Sequence, residues 1–265
     1  MRISTFNILH GRSLVDGLVD LERFAAAVQR LDTDVLALQE VDRGQPRSHG
    51  ADLTAIAAQA MGATGHRYVA TMTGIPHTWT AASGDLPPAG PSYGIALLSR
   101  YPVRSWRVLR LPVLHGPLPV VLPGSRRATI VHDEPRAAVA AVLETPEGAL
   151  TVVTTHLTLV PGWNTLQLRA LVRGVRDLPQ PLVVLGDLNL SGTWPARVTG
   201  LRPLVSAPTM PVGMPVRQID HILGSGPVRA RAGGAGLDLG VSDHRALVVD
   251  VELGAGATTS GRARR

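Results

Sequence analysis

Apolar, β-type runs that each end on a polar or ionisable side chain are the strongest constraint this chain places on its own fold. Arg2–Ile8 carries Asn7 at its end, and the string LQEVD sets Glu40 just after the run Asp34–Gln39. TVVTTH ends on His156, and Leu182–Leu185 leads into GDLN, which holds Asp187 and Asn189. QIDHIL places Asp220 and His221 at the start of a run, and SDH places Asp243 and His244 just before the last one, Ala246–Glu252. Side chains alternate between faces along a strand, so Asp187 and Asn189 share a face. Ionisable groups near a core are costly unless paired or holding a ligand. Their recurrence at strand ends predicts one shared site.

The rest of the pattern predicts the frame. Leu18–Leu31, with Leu18, Leu21, Phe24, Ala25, Val28 and Leu31 apolar, has a helical period, as do Ala51–Met61 and Trp163–Asp177. Arg67–Met72, Tyr93–Leu98, Val103–Leu111, Ala128–His132, Ala137–Glu144, Leu150–Thr155 and Gln218–Leu223 read as strands, with TPEG (Thr145–Gly148) as a hairpin turn. Thr73–Ser92 and the Pro-rich Pro112–Gly124 read as loops. The order is neither strict βαβ alternation nor all-β. Two mixed sheets packed face to face, with helices outside, would bury these strands.

A chain of 265 residues suffices for one large domain, expected over 1–253, followed by a small, basic, disordered tail over 254–265. No apolar run reaches the ~18 residues of a membrane helix. The chain has no cysteine, which excludes a disulfide framework and a thiolate metal site. MRISTFNILHGRS reads as a first strand, not a secretory signal, and a cytoplasmic monomer with no evident protein partner is expected. The net charge of +6 comes with no lysine at all. An anionic partner would explain it; so would GC-rich coding DNA, the reading favoured for most of the arginines.

STFNI, LQEVD, GIALLSRYPV, EPRAAV, TTHL, GDLN, a T-x-P (Thr209–Pro211) before IDH, and SDH occur in one order along nearly the whole chain. In this the chain resembles the endonuclease/exonuclease/phosphatase superfamily. The resemblance implies an α/β (α+β type) fold, a four-layered α/β/β/α sandwich of two packed mixed β-sheets with its site at one edge. It implies a divalent-metal phosphoesterase using Mg²⁺ or Mn²⁺. By the same resemblance Glu40 is the principal metal ligand, Asn7 supports the metal or the phosphate, and Asp243 is a further metal-orienting acid. His156 contacts the scissile phosphate or aids the leaving group. Asp187 and Asn189 orient the attacking water and hold a non-bridging oxygen. His244 matches the general base, with Asp220 as its carboxylate partner, so that water is deprotonated with help from His244 or Asp187; His221 is structural. Arg136 either neutralises a nearby carboxylate or covers an edge. Arg43, Arg47 and His49 follow Glu40 within reach of flanking phosphates.

Site residues of this kind do not choose a substrate. Charge and family breadth point to a nuclease; a phosphatase or phospholipase C-type hydrolase acting on an inositol phosphate, sphingomyelin or another small phosphoester is the alternative. Aromatic residues are only 3% of the chain, which leaves few platforms for bases; Trp79, Trp163 and Trp194 are the candidates. Met210 inside T-x-P and SDHRAL after the last loop both differ from abasic-site endonucleases. A catalytically silent phosphate-binding relative would not need every acid–base partner. A calcineurin-type phosphoesterase would need D-x-H and GNH(E/D) strings, which the chain lacks.

Overall fold

The computed structural model describes residues 1–121, 127–231 and 233–254. Apart from Gly254, the expected basic tail lies outside the described residues. Chain order is β1 (Arg2–Asn7), α1 (Leu21–Leu31), β2 (Val35–Arg43), α2 (Leu53–Met61), β3 (Gly65–Thr73), β4 (Thr80–Ala81), β5 (Ser92–Ser99), β6 (Val103–Arg110), β7 (Pro117–Val121), β8 (Ala128–His132), β9 (Ala137–Thr145), β10 (Gly148–His156), α3 (Trp163–Gly174), β11 (Leu182–Asp187), α4 (Trp194–Thr199), β12 (Arg202–Pro203), β13 (Asp220–Ser225), β14 (Val228–Ala230), β15 (Ala235–Leu237) and β16 (Ala246–Leu253).

One mixed sheet runs β14-β16-β1-β2-β5-β3-β4, with β15 also on β16; the second runs β12-β13-β11-β10-β9-β6. Period-two alternation sorts their side chains into layers. Ile3, Val35, Ala37, Val152, Val183, Leu185 and Ile222 fill the space between the sheets. Phe6, Leu36 and Leu38 turn outward against Phe24 and Leu31 of α1 and Leu53 and Ala57 of α2. Val153, Val184 and Leu223 turn the other way, against Leu168 and Leu171 of α3. The result is the expected α/β/β/α sandwich. Among the described residues, no helix is long and apolar enough to cross a membrane.

The inner face changes character along the strands. On β1 it reads Ile3, Thr5, Asn7; on β2, Val35, Ala37, Gln39; on β10, Val152, Thr154, His156; on β11, Val183, Leu185, Asp187. β1 and β2 are parallel, with Asn7 beside Gln39, and β10 and β11 are parallel, with His156 beside Asp187. Antiparallel β13 sets Asp220 opposite Asp187. The apolar core therefore grades into a polar rim at one end. One step below that rim, Gln39 Nε2 donates to Thr5 Oγ1 (3.0 Å) and across the sheets to Thr154 Oγ1 (3.3 Å). Buried polar groups are tolerated when paired in this way.

Element boundaries differ from the expected ones for identifiable reasons. The first helix begins at Leu21, because the Asp20 side chain accepts from the backbone N–H groups of Glu22 and Arg23 and caps it there. β2 runs through Glu40 to Arg43, so Glu40 lies inside a strand. The Pro-rich segment contains β7, which among the described residues pairs with β8 alone; 122–124 lie outside them. Pro117 and Pro119 are two residues apart, so the positions lacking an N–H lie on the same edge of the strand.

Gly186 is dictated by the sheet. Its φ is +146°, and a Cβ there would lie 2.0 Å from the Thr155 carbonyl oxygen of the neighbouring strand. Gly186→Ala is expected to destabilise the fold by about 2 kcal/mol or more in denaturant unfolding; a wild-type midpoint would contradict this packing.

Candidate active site

At the polar rim, one cavity of about 560 Å³ is lined by Asn7, Glu40, His156, Asp187, Asn189, Asp243, His244 and Arg136, among others. Nine of the twelve residues proposed from sequence, Arg47 included, thus meet in one place; His49 instead lines another cleft, its Nε2 2.9 Å from the Val19 carbonyl oxygen. Asp220 is fully buried immediately behind His244. Arg43 does not reach the cavity. Its Nε donates to Asp52 (3.0 Å) and Nη1 to the Pro88 carbonyl, and it lines a separate cleft with His66, Arg67 and Asp85.

Glu40 enters the site through a backbone irregularity. The β2–β5 register shifts between Leu38 and Val41, and Glu40 has φ +58°. This bulge re-aims one side chain and reverses the parity after it. Glu40 faces the cavity, while Val41 packs with the helix-side core. Left-handed backbone at a non-glycine costs energy and tends to collect at functional sites. Burial raises the Glu40 carboxyl pKa, opposed by the Asn7 hydrogen bond and reinforced by the charge of Asp243.

Asn7 links the sheets. Its Nδ2 donates to Glu40 Oε1 (3.1 Å) and to Asp187 Oδ2 (3.1 Å). Its Oδ1 accepts from the Leu9 backbone N–H (3.2 Å), and its carbonyl accepts from Ser242 Oγ (2.6 Å). The amide therefore presents nitrogen to the carboxylates. In this arrangement Asn7 orients Glu40 and Asp187.

His244 and Asp220 form the expected dyad, with Nδ1 2.9 Å from Asp220 Oδ2. Thr209 Oγ1 also donates to that oxygen, at 2.5 Å, while Asp220 Oδ1 is buried with no partner. The ring's other nitrogen, Nε2, is 3.9 Å from Asp187 Oδ2. Burial lowers the His244 pKa, but Asp220, Asp187 and Asp243 outweigh it and lift the value to about 10. These carboxylates favour the protonated ring, in which both nitrogens donate. Asp187 is raised to about 7 by burial and by the charge of Asp220, against His244 and Asn7. A carboxyl poised there suits proton transfer at neutral pH.

His156 Nε2 stands 3.5 Å from Asp187 Oδ2. Burial, then Arg136 and His244, push its pKa well below the ordinary imidazole value, so it is neutral. Asn189 is left-handed (φ +49°); its backbone N–H donates to Asp187 Oδ1 (3.0 Å), and its Nδ2 to the Leu157 carbonyl (2.9 Å). Arg136 pairs with Glu134 (3.0 Å), and its charge acts on both Glu40 and His156. His221 does not line the cavity; its Nε2 is 2.7 Å from the Leu190 carbonyl oxygen.

Other lining residues come from loops. Arg47 pairs with Asp42 (2.7 Å) and lies over the rings of Trp79 and Tyr93, which stack at 5.2 Å. Trp163 and Trp194 are elsewhere; their indole N–H groups donate to Pro112 and Thr165. Arg217, His10 and Tyr93 line the cavity without having been singled out from sequence. Arg217 ends the Pro203–Arg217 loop, and His10 follows the first strand; an inventory of residues flanking the polar strand ends would have found both.

The donor chemistry fits a divalent cation. Glu40 and Asp243 are carboxylates lining the same cavity, and Asp243 raises the pKa of Glu40, a repulsion that a hard cation would relieve. Separately, ligand atoms of Asp187, Asp220 and His244 lie within 4.8 Å of one another. There the Asp220 oxygen is already occupied by His244 and Thr209.

A four-layered sandwich whose sheet ends gather carboxylates and imidazoles in one cavity defines a class of phosphoester hydrolases. The chain belongs to the endonuclease/exonuclease/phosphatase family, whose sequence model matches residues 4–244. Members are hydrolases acting on phosphoesters and are generally dependent on divalent metals. The chain is similar to an endonuclease/exonuclease/phosphatase structure from Beutenbergia cavernae DSM 12333, with 26% identity, a TM-score of 0.71, and 96% of this chain and 72% of that one covered. It shares its fold with the Bacteroides thetaiotaomicron VPI-5482 mannosyl-6-phosphatase Bt3783 (14% identity, TM-score 0.62, 96% and 100% covered). The human Nocturnin catalytic domain with bound sulfate is a further fold relative (20% identity, TM-score 0.60, 96% and 94% covered). Comparison with curated proteins finds no match.

Asp220→Asn is expected to lower the His244 pKa in the metal-free protein, because it removes a carboxylate that stabilises the imidazolium. NMR titration of the ring reads this directly; an unchanged midpoint would dissociate the pair.

Proposed function

We propose that the protein hydrolyses a phosphoester by in-line attack of water, with Mg²⁺ or Mn²⁺ held by Glu40 and Asp243. The observation that carries this reading is the meeting of Glu40, Asp187 and His244, distant in sequence, in a single cavity. When bound, the cation supplies Lewis-acid stabilisation of charge on the phosphoryl oxygens. Asn7 holds Glu40 and Asp187 in place. Asp187, poised near neutrality, accepts the proton of the attacking water. His244, kept protonated by Asp220, donates to a phosphoryl oxygen through Nε2. This gives Asp187 the part of base, which the family resemblance leaves to His244 or Asp187. Neutral His156 donates near the leaving oxygen, and Arg136 and Arg217 add positive charge at the rim.

The nuclease expectation leaned on surplus positive charge. Among the described residues, nine of the chain's 26 arginines are engaged in ion pairs, among them Arg23 with Asp16, Arg47 with Asp42, Arg107 with Asp177 and Arg231 with Glu252. This pairing supports a compact phosphoester as substrate over a long nucleic-acid backbone, which is held by rows of free cations. A panel of plasmid DNA, RNA, phosphoinositide, sphingomyelin and bis-p-nitrophenyl phosphate tests the choice; turnover of DNA or RNA alone would reverse it.

Glu40→Gln is expected to lower kcat by about two to three orders of magnitude with an unchanged circular-dichroism spectrum. Activity should vanish in excess chelator and return with Mg²⁺ or Mn²⁺. Near-wild-type turnover in Glu40→Gln, or in chelator, would remove the metal from the mechanism.

A further inference from the structure

A second groove, of about 490 Å³, adjoins the catalytic cavity and shares two wall residues with it, Asp133 and Arg136. Its surface is largely carbon, from Ala81, Ala82, Leu111, Val113, Leu114 and Pro135. Three separate stretches of chain build it: the segment after β3, the end of β6 with the residues following it, and the turn into β9.

Hydrogen bonds fix these walls to one another. Leu111 N–H donates to the Arg136 carbonyl (2.9 Å), and Leu114 N–H to Asp133 Oδ2 (3.0 Å). Arg110 reaches from β6 to the carbonyl oxygens of Ala70 (2.5 Å) and Gly84, clamping the segment after β3 onto the sheet. Two of its donors are thus held by backbone, and at the boundary Arg136 pairs with Glu134 through Nη2 while its buried Nε has no partner. His115 and Arg136 are the cationic side chains on its wall besides Arg110, and the rest of the lining is mostly carbon, which suits hydrocarbon.

We propose that this groove binds an alkyl or acyl chain carried by the alcohol portion of the phosphoester, while phosphorus sits in the catalytic cavity. The inference rests on the phosphoesterase reading and adds the substrate class: a phosphoester of a long-chain or acylated alcohol. Continuity with the catalytic cavity across Arg136 selects this occupant. A chain linked through the ester oxygen crosses the shared wall without leaving the protein surface. The groove is of a size that takes ligand substituents. Each methylene moved from water into it is expected to tighten binding about fourfold.

The test uses the full chain with Mg²⁺ and a series of alkyl p-nitrophenyl phosphates from methyl to octyl, kept below micelle formation. Wild-type kcat/KM should rise by about fourfold per methylene over the first few carbons, through KM, and then level off. Octyl phosphate should compete more strongly than methyl phosphate. Leu114→Trp, which fills the groove and touches no catalytic group, should flatten the series and leave methyl-ester turnover unchanged. Ala81→Phe, at an exposed position, repeats the test if the first variant folds poorly. A flat wild-type series alongside good methyl-ester turnover, or a steep series retained in both filled variants, would overturn the groove alone. No turnover of any ester, with no preference for octyl over methyl phosphate in calorimetric binding, would overturn both the groove and the phosphoesterase reading.

Discussion

One side-chain amide ties the two sheets together where it matters. Asn7 sits at the end of β1 and donates both amide hydrogens, one to Glu40 on its own sheet and one to Asp187 on the facing sheet. Its oxygen and its backbone carbonyl are also engaged, by Leu9 and Ser242. With these partners the amide has no spare conformation. Hydrogen bonds to ionised groups are among the stronger ones, and a buried polar group left unpaired is costly. The separation of the two carboxylates is thereby set by the packing of the sandwich. The SDH loop is drawn to the same point, since Ser242 Oγ joins the Asn7 carbonyl to the His244 N–H.

Around that amide the backbone departs from regular geometry. Glu40, Asn189 and Ser242 all have positive φ, and Gly186 has the φ of +146° that its close approach to Thr155 requires. Regular strands would send alternate side chains outward. These departures turn Glu40 inward, bring the Asn189 N–H onto Asp187, and fold Ser242 back under His244. The inter-sheet core is apolar and regular, whereas the rim is polar and strained. Functional sites commonly hold such conformations, sustained by the packing beneath them.

Much of this was readable from the chain. Ile3-Thr5-Asn7 and Val183-Leu185-Asp187 show in their alternation both the inner face and the residue that ends it. The outer helices announced themselves by period, and Asp20 and Asp52 as caps only sharpened their starts. Other features depend on geometry that a string of letters does not carry. The bulge at Glu40 has no glycine to mark it. Arg43 and Arg47 are both basic residues just after Glu40, but Arg43 turns to Asp52 while Arg47 reaches the cavity. Thr209 was visible in T-x-P, but its bond to Asp220 needs two loops to meet. The direction of the Asn7 amide follows from three partners at once. The carbon-lined groove joins segments roughly fifty residues apart, beyond the reach of any local pattern.

The electrostatic account is coherent only with a cation. Without one, burial and then the charge of Asp243 raise the Glu40 pKa against the Asn7 hydrogen bond. Acids so placed are otherwise a liability to the fold. Diffraction from crystals soaked in Mn²⁺, recorded for anomalous scattering, locates the ion without reference to activity. The account predicts one strong peak within coordination distance of a Glu40 carboxylate oxygen, on the Asp243 side of the cavity. A peak seated only between Asp187 and Asp220, or no peak in the cavity at all, would contradict it.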